Sequence, residues 1–212
     1  MKKEQLAVYF IAGTPNCRTS IDETLQAAIH GGITMFQFRE KGEGALTGET
    51  KKHQALRLQS MCKQAGIPFI VNDDIDLAIE IGADGVHIGQ EDEPASVVRK
   101  KIKGGIVGVS VHTMDEFEKA IIDGADYVGT GPIYSTATKT DARPVAGTTL
   151  IAKMKEKYPH FPIVGIGGIT IENAVDVMKA GADGVSVITA ISHANKPDQA
   201  ASKLKNVFSK TK

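Results

Sequence analysis

The chain has 212 residues, with 25 Lys and Arg against 25 Asp and Glu and a formal net charge of zero. This balance excludes the basic field that nucleic acid or an anionic membrane surface selects, so any anion binding has to be local. The length suits one domain or two small ones, able to bury roughly 70% of the unfolded surface.

No run approaches the roughly 20 apolar residues of a membrane span. Cys17 and Cys62 fit no metal-ligand spacing and read as free thiols of a reducing cytoplasm. Lys2-Lys3 precede an apolar run over 6–12 that leads into Thr14-Pro15-Asn16 without a small-residue cleavage pattern, so a first strand is expected there rather than a signal peptide.

After that strand, Ser20 caps a helical pattern through Ile21, Leu25, Ala28 and Ile29, ending at Gly31-Gly32. Residues 33–38 make strand two; a loop over 39–46 leads to a long helix over 47–65, stopped by Gly66. Strand three, 68–71, ends in Asn72-Asp73-Asp74 and a short helix through Leu77, Ala78 and Ile81. Strand four, 85–88, runs through Gly89-Gln90-Glu91-Asp92 into a helix over 94–102. Strand five spans 106–111, and Thr113 caps a helix whose Phe117, Ala120 and Ile121 share a face. The apolar run 125–128 is strand six, followed by a loop and a helix over 148–157. Strand seven spans 162–166, with a helix over 171–180; strand eight spans 184–188, with a short segment 189–192 and a last helix over 198–208.

Gly82-Ala83-Asp84, Gly124-Ala125-Asp126 and Gly181-Ala182-Asp183 form a sub-repeat: the Gly ends a helix in the left-handed conformation, and the small residue and the Asp make the tight entry into a buried strand. Those three Asp residues fall at strand N-terminal ends, which points to structure rather than catalysis. Eight β-then-α units predict an α/β chain closed as a single (β/α)₈ TIM barrel over 1–212, near the lower length limit of roughly 200. A doubly wound open sheet is the alternative.

In a barrel the active site sits on the loops that follow the strands. Gln37, Arg39 and Lys41 follow strand two, Asn72 and Asp73 strand three, Gln90 and Asp92 strand four, and Ser110 ends strand five. The loop over 129–141 pairs Gly129, Gly131 and Pro132 with Ser135, Thr136, Thr138 and Lys139, a composition suited to phosphate oxygens. Asp73 and Asp92 offer a hard cation two carboxylates, the number Mg²⁺ takes before completing its shell with water and phosphate oxygens; Asp74 is left to cap helix three. Gly167-Gly168 and Thr189 open helices after strands seven and eight, where barrels often bind phosphate. Two anion sites on one rim suggest two phosphorylated small-molecule substrates.

The motifs Tyr9-Phe10-Ile11, Gln37-Phe38-Arg39-Glu40-Lys41, Val71-Asn72-Asp73-Asp74, His87-Ile88-Gly89-Gln90-Glu91-Asp92, and those over 129–141, 165–170 and 185–191 resemble the thiamine-phosphate synthase family through nearly the whole chain. The resemblance implies a barrel that joins hydroxymethylpyrimidine diphosphate to hydroxyethylthiazole phosphate, giving thiamine monophosphate and diphosphate. It implies Mg²⁺ on Asp73 and Asp92, and catalysis by Lys139, Arg39, Lys41 and Ser110. Arg39, Lys41, Asn72 and Lys139 would contact the diphosphate, Gln37 and Ser110 the pyrimidine, and Thr136, Thr138, Gly168, Ile188 and Thr189 the thiazole phosphate. Phe38, Glu40 and Ala137 are carried over as substrate-binding within the same motifs. A cytoplasmic enzyme is implied, with a homo-oligomer left open.

Two positions depart from the family's pattern. Ser135 stands where Pro is common, which loosens the loop, and Thr189 stands where Ser is common, which keeps the hydroxyl. His87 and His112 read as packing or loop hydrogen-bonding residues rather than catalysts. The other readings are a thiazole tautomerase, against which the joint presence of Arg39, Lys41, Asp73, Asp92 and Lys139 argues, and a non-catalytic phosphate-ligand sensor on the same scaffold.

Overall fold

The computed structural model describes residues 1–136 and 144–211. Eight parallel strands pair in sequence order, and β1 closes on β8 to complete a barrel. They are β1 (Val8–Ala12), β2 (Met35–Phe38), β3 (Phe69–Asn72), β4 (Gly85–Ile88), β5 (Ile106–Val111), β6 (Tyr127–Thr130), β7 (Ile163–Ile166) and β8 (Gly184–Val187). Around them lie α1 (Ile21–Gly31), α2 (Gly48–Ala65), α3 (Ile75–Glu80), α4 (Ala95–Lys101), α5 (Met114–Ile122), α6 (Thr149–Lys157), α7 (Ala174–Lys179), the one-turn α8 (Thr189–Ser192) and α9 (Pro197–Thr211). The open-sheet alternative is excluded by the closure. No helix among the described residues is long and apolar enough to cross a membrane.

Local chemistry sets the helix ends. Ser20 Oγ accepts the Glu23 N–H at 3.2 Å, Asp74 Oδ1 that of Leu77 at 3.0 Å and Thr113 Oγ1 that of Glu116 at 3.1 Å, each satisfying a first-turn donor that has no partner inside its helix.

Strand alternation divides the core in two. Val8, Phe10, Phe36, Phe38, Phe69 and Val71 face the helices in the larger cluster. Leu6, Tyr9, Ile11, Met35, Ile70, Tyr127 and Val164 fill the barrel interior. On β2 the same alternation points Gln37 inward with Met35 and turns Phe38 out onto Phe69, with ring centroids 6.2 Å apart.

The bottom of the barrel is held by a repeated brace. Asp84 accepts the N–H of Phe69, Asp126 that of Val107 and Asp183 that of Ile163, each at 2.8 Å. Thr34, just before β2, plays the same part for Val8 at 2.9 Å. Every even strand is thus preceded by a side chain that caps its odd neighbour.

Several boundaries differ from the sequence pattern, strand two starting at Met35 and the last helix running to Thr211 among them, and two of the differences have a plain local cause. Strand six starts at Tyr127 because the Ala125 N–H closes the turn after α5 on Ala120 O at 2.9 Å. Helix seven starts at Ala174 rather than near 171, because Asn173 turns back to bond Thr170 N–H at 2.8 Å and Gly168 O at 3.0 Å.

Candidate active site

A cavity of about 980 Å³ lies at the mouth of the barrel, lined by strand ends and the loops that follow them. Gln37, Arg39, Lys41, Asn72, Asp73, Asp92, Ser110, Thr136, Gly168, Ile188 and Thr189 all border it. Two residues of the β2 motif do not. Phe38 belongs to the outer core, and the Glu40 carboxylate, 7% exposed, braces two loops by accepting the N–H groups of Thr14 at 2.8 Å and Leu46 at 2.9 Å. Ala137, Thr138 and Lys139 lie outside the described residues.

The acidic corner is built from β3 and β4. Asp73 N–H continues the ladder to His87 O at 2.9 Å, but Asp73 then takes a φ of +61°, sparsely populated for a non-glycine residue. Its carboxylate pairs with the Lys41 ammonium. The Asp92 carboxylate accepts Gly89 N–H at 2.7 Å. Burial pushes the Asp92 carboxyl above the ordinary range, the Gly89 N–H opposes this, and neighbouring Asp73 pushes it further up. Asp74 faces away, taking Lys51 at 2.5 Å besides its capping bond. Burial works against its ionisation, but Lys51 and the Leu77 N–H hold its carboxyl below the usual range.

Asp73 and Asp92 thus stand side by side as a like-charged pair. Among the described residues no group of three or more His, Cys, Asp and Glu could hold a metal. The donor set fits Mg²⁺, which takes one or two carboxylates and fills its other positions with water and ligand oxygens.

Below this corner a buried hydrogen-bond chain crosses the barrel. Gln37 Nε2 donates to Tyr9 Oη at 2.6 Å, and Tyr9 Oη meets Tyr127 Oη at 2.7 Å. Tyr127 Oη meets His87 Nδ1 at 2.9 Å, and His87 Nε2 meets Ser110 Oγ at 2.9 Å. Burial raises both tyrosine pKa values above the ordinary value, so the phenols stay protonated. Gln90 Nε2 fixes Ser110 from the other side, donating to its carbonyl at 2.7 Å. Gln37 and Ser110 are legible in the sequence, but what joins them is not. The available signal was two tyrosines at inward strand positions, which periodicity scores only as apolar. His112 is a loop-bonding residue, with Nδ1 3.0 Å from the Glu116 carboxylate.

On the opposite side, Gly167 and Gly168 have φ of +94° and +63°. A Cβ at 168 would stand 2.4 Å from Ser135 O, so the β7 loop can lie against the β6 loop only because both residues are glycines.

A closed parallel barrel with a carboxylate pair, cationic side chains and glycine-built loops on its C-terminal rim defines a TIM-barrel protein shaped to receive anionic small molecules. The chain belongs to the thiamine monophosphate synthase family, which it matches over residues 8–191. It is 53% identical over 206 residues to a thiamine-phosphate synthase of Bacillus cereus, covering 97% of this chain and 94% of that one. A thiamine-phosphate synthase of Bacillus thuringiensis (strain Al Hakam) is 55% identical over 199 residues, 94% of this chain and 91% of the relative. The solved structure of a thiamine phosphate pyrophosphorylase from Pyrococcus furiosus superposes with a TM-score of 0.89 at 31% identity, covering 99% of this chain and 98% of the other.

Proposed function

We propose that the chain joins hydroxymethylpyrimidine diphosphate to hydroxyethylthiazole phosphate, releasing diphosphate and thiamine monophosphate, as a cytoplasmic enzyme acting on two phosphorylated small molecules. The observation that carries this reading is the meeting of Arg39, Lys41, Asn72, Asp73 and Asp92 at one cavity that Gln37 and Ser110 also line.

Arg39, Lys41, Asn72 and Lys139 receive the diphosphate. Asp73 and Asp92 would hold Mg²⁺, which would supply positive charge to offset that of the diphosphate. Gln37 and Ser110 orient the pyrimidine, while Thr136, Thr138, Gly168, Ile188 and Thr189 take the thiazole phosphate. The bond between the pyrimidine methylene carbon and the diphosphate oxygen breaks first, its electrons leaving with the diphosphate. The thiazole nitrogen then supplies the pair for the new carbon–nitrogen bond. Such a step asks the protein for preorganised charge and exclusion of water rather than for a strong base. His112, held by Glu116, fits that demand as a fixed wall of the cavity.

Incubation with both phosphorylated substrates, with Mg²⁺ or with a chelator, tests the reading. Thiamine monophosphate should form only with the metal; no product with Mg²⁺ present would overturn the assignment.

A further inference from the structure

We propose that Tyr9, Tyr127 and His87 are positioning residues that turn Ser110 into a one-way hydrogen-bond donor toward the pyrimidine-bearing substrate. The direction follows from the ends of the buried chain. The Gln37 amide nitrogen only donates, so Tyr9 Oη, having accepted from it at 2.6 Å, directs its own hydrogen to Tyr127 Oη at 2.7 Å. Tyr127 then donates to His87 Nδ1 at 2.9 Å. A neutral imidazole that accepts at Nδ1 carries its hydrogen at Nε2, and that hydrogen meets Ser110 Oγ at 2.9 Å. Ser110 accepts there and keeps its hydroxyl hydrogen for the cavity it borders.

Two glycines make room for this chain. A Cβ at Gly108 would stand 2.2 Å from Tyr127 Cζ, and one at Gly129 would stand 3.2 Å from His87 Cε1. The ring positions are thereby fixed by backbone. A hydroxyl free to rotate would present a lone pair as readily as a hydrogen. With its acceptor side occupied, Ser110 selects a ligand atom that accepts, and does so before the ligand arrives, which is what preorganisation requires.

This inference rests on the proposed reaction, so the test separates the two. Product formation by the unmodified protein decides the reaction. The His87 tautomer, read without substrate by NMR on isotope-labelled histidine and assigned by loss of the signal in His87→Gln, decides the chain. The expected result is a proton on Nε2 in the unmodified protein and a mixture of tautomers in Tyr127→Phe. Kinetically, Tyr127→Phe should lower kcat about tenfold, less than the roughly 10²–10³ lost when a preorganised donor is removed outright. In a Ser110→Ala background the same change should cost no more than about twofold, because both act through one hydroxyl. Tyr9→Phe, one bond further from Ser110, repeats the cycle should Tyr127→Phe fold poorly. A proton on Nδ1 in the unmodified protein, or an equal loss with and without Ser110, overturns the inference.

Discussion

The ring of Tyr127 occupies the space that a side chain at Gly108 would need: a Cβ there would stand 2.2 Å from Tyr127 Cζ and 2.4 Å from its Oη. The two residues face each other across neighbouring strands, in register, so neither can step aside without moving the barrel wall. Gly108→Ala is therefore expected to lose about 1–3 kcal/mol, the usual cost of overpacking a filled core. Thermal unfolding would show this as a fall of several degrees, and unchanged stability would mean that the ring has another place to go.

At the other end of the barrel, Asp183 accepts the Ile163 N–H at 2.8 Å and the Lys155 ammonium at 2.6 Å. Burial lowers the Lys155 pKa while Asp183 opposes that shift. Asp183→Ala leaves a backbone N–H without this acceptor and the half-buried ammonium with only the Phe161 carbonyl at 2.8 Å, and should cost about 1–3 kcal/mol, the range for a polar group that loses its partner on folding. Urea unfolding measures the loss. The kcat of the folded fraction should stay within about twofold, since Asp183 lies at the barrel end away from the cavity; a larger drop would contradict a purely structural role.

The braces also mark what could be read from the chain. The Gly-Ala-Asp sub-repeat announces three of them, since an Asp after a helix-ending Gly keeps one meaning wherever it recurs. The fourth, Thr34, shares no residue type with the others, and its role exists only once Val8 N–H lies 2.9 Å away. The rim was legible for a similar reason: Arg39, Asn72, Asp92 and Ser110 are polar residues at strand ends, and barrel geometry alone sends strand ends to one mouth. Phe38 and Glu40 sit in the same motif as Gln37, yet one faces the helices and the other two loops, because pleat and loop packing are settled by tertiary contacts. Tyr9 and Tyr127 hid inside apolar strands, where a hydroxyl leaves no mark on periodicity.

Asp92 should trade stability for function. Its carboxyl is pushed up by burial and then by Asp73, so just above the ordinary carboxylate pKa the folded state holds more protons than the unfolded chain. Stability of the metal-free protein from this group therefore falls as pH rises through that window. Asp92→Asn removes the charge and should leave the metal-free protein at least as stable at pH 7, while Mg²⁺-dependent turnover is lost. Melting curves across pH, with and without Mg²⁺ and diphosphate, provide the check. A variant less stable than the parent at pH 7 would remove the repulsion from the account.

Lys139 follows β6 within the loop whose hydroxyls and glycines suit phosphate. Its charge is expected to act on the departing diphosphate rather than on folding. Lys139→Ala should lower kcat by about 10²–10³, as for a preorganised electrostatic partner, with an unchanged melting temperature. Turnover within a few-fold of the parent would take Lys139 out of the mechanism.

Gly168 ties the β6 and β7 loops together. With φ at +63°, the left-handed conformation costs any other residue there roughly 1–2 kcal/mol. The larger effect is steric: the added Cβ would meet Ser135 O at 2.4 Å and Tyr134 Cβ at 2.8 Å. That segment cannot yield locally, because Ile133 N–H is bonded to Ile166 O at 2.9 Å and Tyr134 N–H to Gly167 O at 3.0 Å. Gly168→Ala must instead lever residues 134–136 away from the β7 loop, taking Thr136 off the cavity wall it now forms. The expected kinetic signature is asymmetric. KM for the thiazole phosphate should rise about tenfold or more, one lost charge-assisted contact being worth roughly 1.5–3 kcal/mol, while KM for the pyrimidine diphosphate, which the proposed reaction assigns to Arg39 and Lys41 across the rim, should change little. Equal rises in both constants would show that the two loops do not divide the substrates between them.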